Sequence, residues 1–390
     1  MGALAPISHY FGDERDEELT ERFSRVLPFE RMHAAFSDGE IIAGAGVVPF
    51  DLTVPGGPVP CAGVTVVGVL PTHRRRGLLT RLMRAQLEDI RQRGEPLAAL
   101  WASEETIYGR YGYGIASLDA MMRATRVHAA LRPELPHAGV VRLVGYDDAL
   151  RVIPGIHDRV RRRTVGFFSR SPAWWERKLF DDPARRRGGG VLNYALLEHD
   201  GKPAGYALYR LKADFEGATN TGHVDVIEAV GDSPAATREL WRFLLGIDWI
   251  QEIQCEVLPV DHPLLLLVQR PNKLNWRVFD GLWLRLVDVP AALAARGYAT
   301  DGRATIEITA DPLFADNEGT WTVDGGTVRR SKRRADVRLD VQALAAAYLG
   351  GFSFAELARA GRVEEVARGG LARADALFRV GAKPWCPEIF

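Results

Sequence analysis

The stretch "VTVVGVLPTHRRRGLLTRLMRAQLEDIRQRGE", Val64 to Glu95, joins a valine-rich strand to a long amphipathic helix through three arginines and a glycine. Leu78, Leu79, Leu82, Met83, Leu87 and Ile90 recur near i, i+3, i+4 spacing, and Arg91-Gln92-Arg93-Gly94 closes the helix with cations and a glycine. With Arg-Arg-Arg-Gly read as the helix's first turn, the junction presents N–H groups that have no acceptor inside the helix, at the positive end of its dipole. That arrangement suits a pyrophosphate: Gly77 lets the backbone come close, and the arginines add charge-assisted hydrogen bonds. A solvated basic helix start is the competing reading of the same residues. Neither the Gly and Lys-Ser/Thr positions of a P-loop nor the glycine triplet of a dinucleotide fold is present.

Working outward, "DGEIIAGAGVVPFDLTVPGGPVPCAGVTVVGVL" reads as three strands turned at Asp38-Gly39 and Pro55-Gly56-Gly57, preceded by a helical pattern from Glu17 to Leu27. "PLAALWAS" after the helix is a further short buried strand, which makes a mixed α/β domain. The two prolines of "LRPELPHAG", Leu131 to Gly139, separate this unit from the next. There the plan repeats: Asp200-Gly201 turns a hairpin, and "HVDVIEAVGDSPAATRELWRFLLGI" is again a strand entering a helix, with Ser233 and Pro234 as N-cap and first helical residue. This second junction has no arginine run and no glycine at the helix entry. A third region starts near Asp280, with strands in "GLWLRLV" and "ATIEIT", a hairpin about Asp324-Gly325 and helical patterns in "VQALAAAYLG", "SFAELARAG" and "LARADALFRVG".

At 390 residues, two or three domains are expected. Lys+Arg and Asp+Glu both total 50, so the broad positive field that drives non-specific nucleic-acid binding is lacking, and no nucleic-acid partner is expected. Three scattered cysteines, Cys61, Cys255 and Cys386, give neither a disulfide framework nor a zinc spacing, and no metal is expected. The N-terminus turns acidic before an apolar run forms, and no apolar segment approaches the roughly 20 residues of a membrane span. A cytoplasmic protein without a signal peptide is the expectation.

The second constellation is "LWASEETIYGRYGYGIAS", Leu100 to Ser117, with three tyrosines interleaved with glycines directly after a buried strand. A tyrosine, with a pKa near 10, can hand a proton to a departing thiolate. Aromatic and glycine alternation also marks a packed bend, and the residues alone do not say which tyrosine is chemical. His73 reads as a surface or capping residue, Cys61 and Cys386 as structural, and Trp174-Trp175 as a packing pair. The acidic run Asp13, Glu14, Asp16, Glu17, Glu18 reads as a solvated helix start, with a cavity wall for a cationic acceptor as the alternative.

"VVGVLPTHRRRGLLTRLM" resembles the acetyl-CoA signature of GNAT acetyltransferases, Arg/Gln-x-x-Gly-x-Gly/Ala, with leucine in place of the final small residue. Together with "ALWASEETIYGRYGYG" the resemblance narrows to the Eis (enhanced intracellular survival) N-acetyltransferases and extends over essentially the whole chain. It implies an α/β (α+β) chain of three domains. These are an N-terminal GNAT domain (1–134), a second GNAT-like domain without the cofactor motif (135–285), and a sterol-carrier-like domain (286–390). It further implies main-chain contacts from Val67, Gly68 and Val69 to the pantetheine of acetyl-CoA. Arg75, Arg76, Gly77, Leu78, Leu79 and Thr80 would hold the pyrophosphate, and Ser103 and Glu104 would make further contacts. By the same resemblance Tyr108, which follows Ile107, is the general acid, and the C-terminal carboxylate, here that of Phe390, is the general base. Acceptors would be primary amines of aminoglycosides or lysines, and the assembly a homo-oligomer, a hexamer. "PWCPEIF" is stiffened by Pro384 and Pro387 and carries Trp385 and Phe390 as apolar groups for docking such a tail. Two other readings stay open: a non-catalytic CoA-sensing or lipid-binding protein, and a phosphate clamp for nucleic acid.

Overall fold

The computed structural model describes residues 21, 24–186 and 188–390. The acidic run and most of the Glu17–Leu27 helical pattern lie outside the described residues. The chain divides into two compact units: one contains the residues up to Ser117, Val165–Ser169 and Asp280–Phe390, and the other Leu118–Thr164 and Arg170–Phe279.

In the first unit, β1 (Met32–Ser37), β2 (Glu40–Val54) and β3 (Gly57–Val69) form an antiparallel meander. Asp38 and Gly39 both adopt positive φ (50° and 84°), as a two-residue hairpin turn requires. The helix α1 (Leu78–Gln92) then crosses to β4 (Leu97–Trp101), which pairs parallel with β3. Leu82, Met83, Leu87 and Ile90 of α1 are buried on the sheet, as their spacing predicts, and Leu79 is half-buried. Beyond α2 (Glu105–Tyr108), the sheet is completed by the strand Leu282–Leu286, antiparallel to β4, and by β5 (Gly114–Ile115).

A five-stranded sheet in the same unit holds the hairpin Gly319–Asp324/Thr327–Arg330 and the strand Arg303–Ile308, with helices Val341–Tyr348, Phe354–Arg359 and Gly370–Phe378. Arg285 and Asp311 form a fully buried pair at 2.6 Å. The Gln342 amide donates to the Gly109 carbonyl oxygen just after α2, so this region braces the tyrosine-bearing turn.

The second unit has a seven-stranded sheet in which His223–Gly231 and Glu252–Pro259 run parallel on either side of the helix Pro234–Leu245 in sequence. Ser233 caps that helix by accepting from the Ala236 N–H at 3.1 Å. The strand Leu118–Thr125, inside the span 1–134 assigned to the first domain from sequence, belongs to this sheet. Trp174 and Trp175 are buried in the unit's core, and Trp175 stacks on Arg170 at 4.6 Å. All three cysteines are buried and none forms a disulfide. Among the described residues no helix is long and apolar enough to cross a membrane.

Candidate active site

Where β3 and β4 separate, the sheet opens. Their parallel ladder covers Cys61–Leu97, Ala62–Ala98 and Gly63–Ala99, after which β3 continues to Val69 hydrogen-bonded to β2. Within that extension Val66 has φ +50°, unusual for a β-branched residue, and the register with β2 slips between Gly44 and Gly46. The result is a bulge that re-aims the backbone at Val67, Gly68 and Val69. The three residues lie on the stretch of β3 that β4 does not cover.

At the end of that stretch the arginines occupy a loop, not the helix's first turn as the sequence reading had it. Arg75 has φ +62°, Gly77 has φ +74° as the N-cap, and α1 begins at Leu78. The left-handed Gly77 is what admits the tight entry, since a side chain there would be strained. The N–H of Arg81 reaches the Gly77 carbonyl at 3.1 Å, while those of Leu78, Leu79 and Thr80 precede any acceptor the helix supplies. Arg75 and Arg76 are exposed beside them. Donors and cations therefore converge on one end of α1, at the mouth of the gap, and the residues present fit a pyrophosphate.

The face of the gap toward α1 carries the tyrosines. Tyr108 is 7% exposed and packs with Ala62, Val64, Leu100 and Met83. Burial, with a smaller contribution from Tyr111, pushes its phenol up to about 12. The other two are buried beside it. Tyr111 shares a 3.3 Å hydrogen bond with Thr80, and the ring of Tyr113, fully buried, meets that of Tyr108 edge-on at 6.1 Å. The glycines between them have steric reasons: a Cβ at Gly112 (φ +84°) would lie 2.8 Å from the Arg285 guanidinium, and one at Gly114 would strike the Gln342 carbonyl. Ser103 and Glu104 are exposed on the loop entering α2.

The opposite face holds the chain's last residues. The Phe390 ring packs against Phe50 at 5.2 Å and Phe168 at 5.3 Å, over Gly63. Residues 165–169 strap alongside β2: Thr53 donates to Phe167 at 2.8 Å, and Gly166 and Ser169 donate to Thr53 and Asp51 at 2.9 and 2.8 Å. The strap in turn takes the tail, with the Trp385 N–H donating to Val165 at 2.9 Å, its ring edge-on to Phe167 at 5.2 Å, and its backbone against Gly166. Further along, the Trp101 indole N–H donates to the Glu388 carbonyl oxygen at 2.8 Å.

Leu100 and Trp101 are consecutive on β4 and so point to opposite faces, Leu100 toward Tyr108 and Trp101 toward the tail. Sequence reasoning missed Phe50, Gly63, Trp101 and the strap residues Gly166 to Phe168. Trp101 lies in the Leu100 to Ser117 stretch without standing out there, the others sit in no motif, and only the pairing of distant segments brings them to the tail.

Two models described as acetyltransferase (GNAT) domains match residues 2–116 and 166–286, and one described as a sterol carrier protein domain matches 289–387. Fold and matches define a GNAT acetyltransferase. An uncharacterized N-acetyltransferase of Streptomyces avermitilis is 40% identical over 361 residues, 90% of this chain and 88% of its own. The N-acetyltransferase Eis of Mycobacterium tuberculosis is 37% identical over 352 residues, 87% of this chain and 83% of its own. The crystal structure of Eis1 from Mycobacterium abscessus superposes with a TM-score of 0.86 at 36% identity, over 100% of this chain and 96% of its own. The chain belongs to the Eis family of N-acetyltransferases.

Proposed function

We propose that this acetyltransferase moves the acetyl group of acetyl-CoA directly onto primary amines of a polycationic acceptor, aminoglycoside-like or lysine-bearing. The observation that carries the reading is the gap between β3 and β4, with Tyr108 packed on one face and Phe390 on the other. Val67, Gly68 and Val69 would meet the pantetheine arm. Arg75, Arg76 and the first-turn N–H groups from Gly77 to Thr80 would hold the pyrophosphate, with Ser103 and Glu104 nearby.

A protonated amine must lose a proton before it attacks a thioester carbonyl. The Phe390 α-carboxylate, of a type ionised above a pH of about 3.5, takes that proton directly or through water. Attack forms the C–N bond and a tetrahedral oxyanion. Collapse breaks the C–S bond, and Tyr108, kept protonated by burial, gives its proton to the departing sulfur. No metal enters this scheme. The sterol-carrier-like domain braces the turn that carries Tyr108 and ends in the tail, and the homo-oligomer is a hexamer.

Thiol release from acetyl-CoA, measured with and without a panel of aminoglycosides and lysine peptides, tests the reading. Amine-dependent release is the expected result. Tight acetyl-CoA binding without release across the panel would instead identify a CoA sensor.

A further inference from the structure

The terminal carboxylate is a base on a short leash, and its placement depends on whatever holds the residues just before it. Ile389 is exposed, so it contributes little. The Phe390 ring is held by two aromatic contacts, which leave rotation about the last Cα–C bond and some sliding between rings. The fixed point is two residues before Phe390. The carbonyl oxygen of Glu388, a residue only 2% exposed, accepts from the Trp101 indole at 2.8 Å and lies 3.3 Å from the Cys386 thiol. The indole bond joins residues 287 apart in sequence, and its donor is the last residue of β4. The strand whose Leu100 packs with Tyr108 thus also sets the position of the tail.

We infer that Trp101 is a positioning residue for the general base: its indole N–H fixes the Glu388 carbonyl, and through it the Phe390 carboxylate, beside the gap between β3 and β4. The inference rests on the reading of that carboxylate as the base. Cys386, with a weaker thiol donor, is secondary.

Two substitutions remove the indole N–H. Trp101→Phe keeps an aromatic ring, and replacement of Trp101 by 3-benzothienylalanine keeps the bicyclic volume while removing only the donor. The second is informative even where the first disturbs folding. Losing one net hydrogen bond corresponds to about fivefold in the docked population of the tail. Carboxypeptidase release of Phe390 should therefore accelerate about fivefold in both variants, with no acceptor needed.

With tobramycin as acceptor, kcat at neutral pH should fall by a similar factor, roughly fivefold, while KM for acetyl-CoA stays unchanged. The deficit should close as pH is raised toward the amine's own pKa, because an amine already neutral in solution no longer needs the base. A packing defect would lower the rate equally at every pH. Equal carboxypeptidase release in variant and wild type, or a rate deficit independent of pH, would overturn the inference. Appending residues after Phe390 separates the two readings. If extension slows turnover while the Trp101 variants match wild type, the base stands and the positioning role falls. If extension changes nothing, both fall.

Discussion

Gly63→Ala tests the site with a single methyl group. A Cβ at position 63 would lie 2.6 Å from two ring carbons of Phe50 and 3.1 Å from the Phe390 ring. The first distance is roughly 0.8 Å short of ordinary van der Waals contact and the second a few tenths. Because Phe50 already leans on Phe390 and both lean on Phe168, relieving the clash moves all three rings together. Overpacking of this kind costs about 1–3 kcal/mol of stability. A displacement approaching 1 Å of a catalytic group costs up to about 100-fold in rate. We therefore expect kcat to fall about 10- to 100-fold at a pH where the acceptor is protonated, with KM for acetyl-CoA within about twofold, since the methyl lies on the face away from α1. Continuous thiol release gives both constants, and a thermal melt confirms folding. A folded Gly63→Ala protein with wild-type kcat would show that the position of Phe390 does not matter to the chemistry.

Three other outcomes are expected. Tyr108→Phe should lose about 10²- to 10⁴-fold in kcat with acetyl-CoA affinity retained by calorimetry; and because burial lifts the Tyr108 phenol to about 12, the wild-type pH–rate profile should show no alkaline fall from this group below a pH of about 11. Arg75→Ala and Arg76→Ala should each raise KM for acetyl-CoA about tenfold, the worth of a charge-assisted hydrogen bond, and weaken its dependence on salt. In the second unit, burial would raise the Glu228 carboxyl, but Arg170 at 2.7 Å and Lys178 at 3.1 Å outweigh it and hold the group well below the usual range. Its contribution is then present above the unfolded pKa of about 4.3 and lost as pH falls below it, so Glu228→Gln should lower Tm at neutral pH and flatten the acid dependence of the melt.

Much of the first sheet and α1 was legible because local physics determines them. The Asp38-Gly39 turn needs positive φ at both residues, and the apolar stripe of α1 has helical period. The helix start was read one loop too early. Arginine is a good helix former, but Arg75 is held in the left-handed region and the helix waits for Gly77. The destinations of Leu118–Thr125 and Leu282–Leu286 were not legible, since a short apolar strand carries no address for its sheet partner. The site was half-legible for the same reason. The residues proposed to hold acetyl-CoA are contiguous motifs, whereas Phe50, Gly63, Trp101 and Phe168 meet only when segments far apart in the chain pair.

Around the strap at 165–169, the order of the chain sets an order of events during synthesis. Phe50, Gly63 and Trp101 emerge first and the strap after them, and only much later does the segment 385–390 arrive to cover them. Through that interval an aromatic cradle built for the tail stands open to water and to other nascent chains. Contacts of such sequence separation close late, after local structure has formed. Slow translation or high expression would therefore lengthen the time for which this apolar cradle stands uncovered.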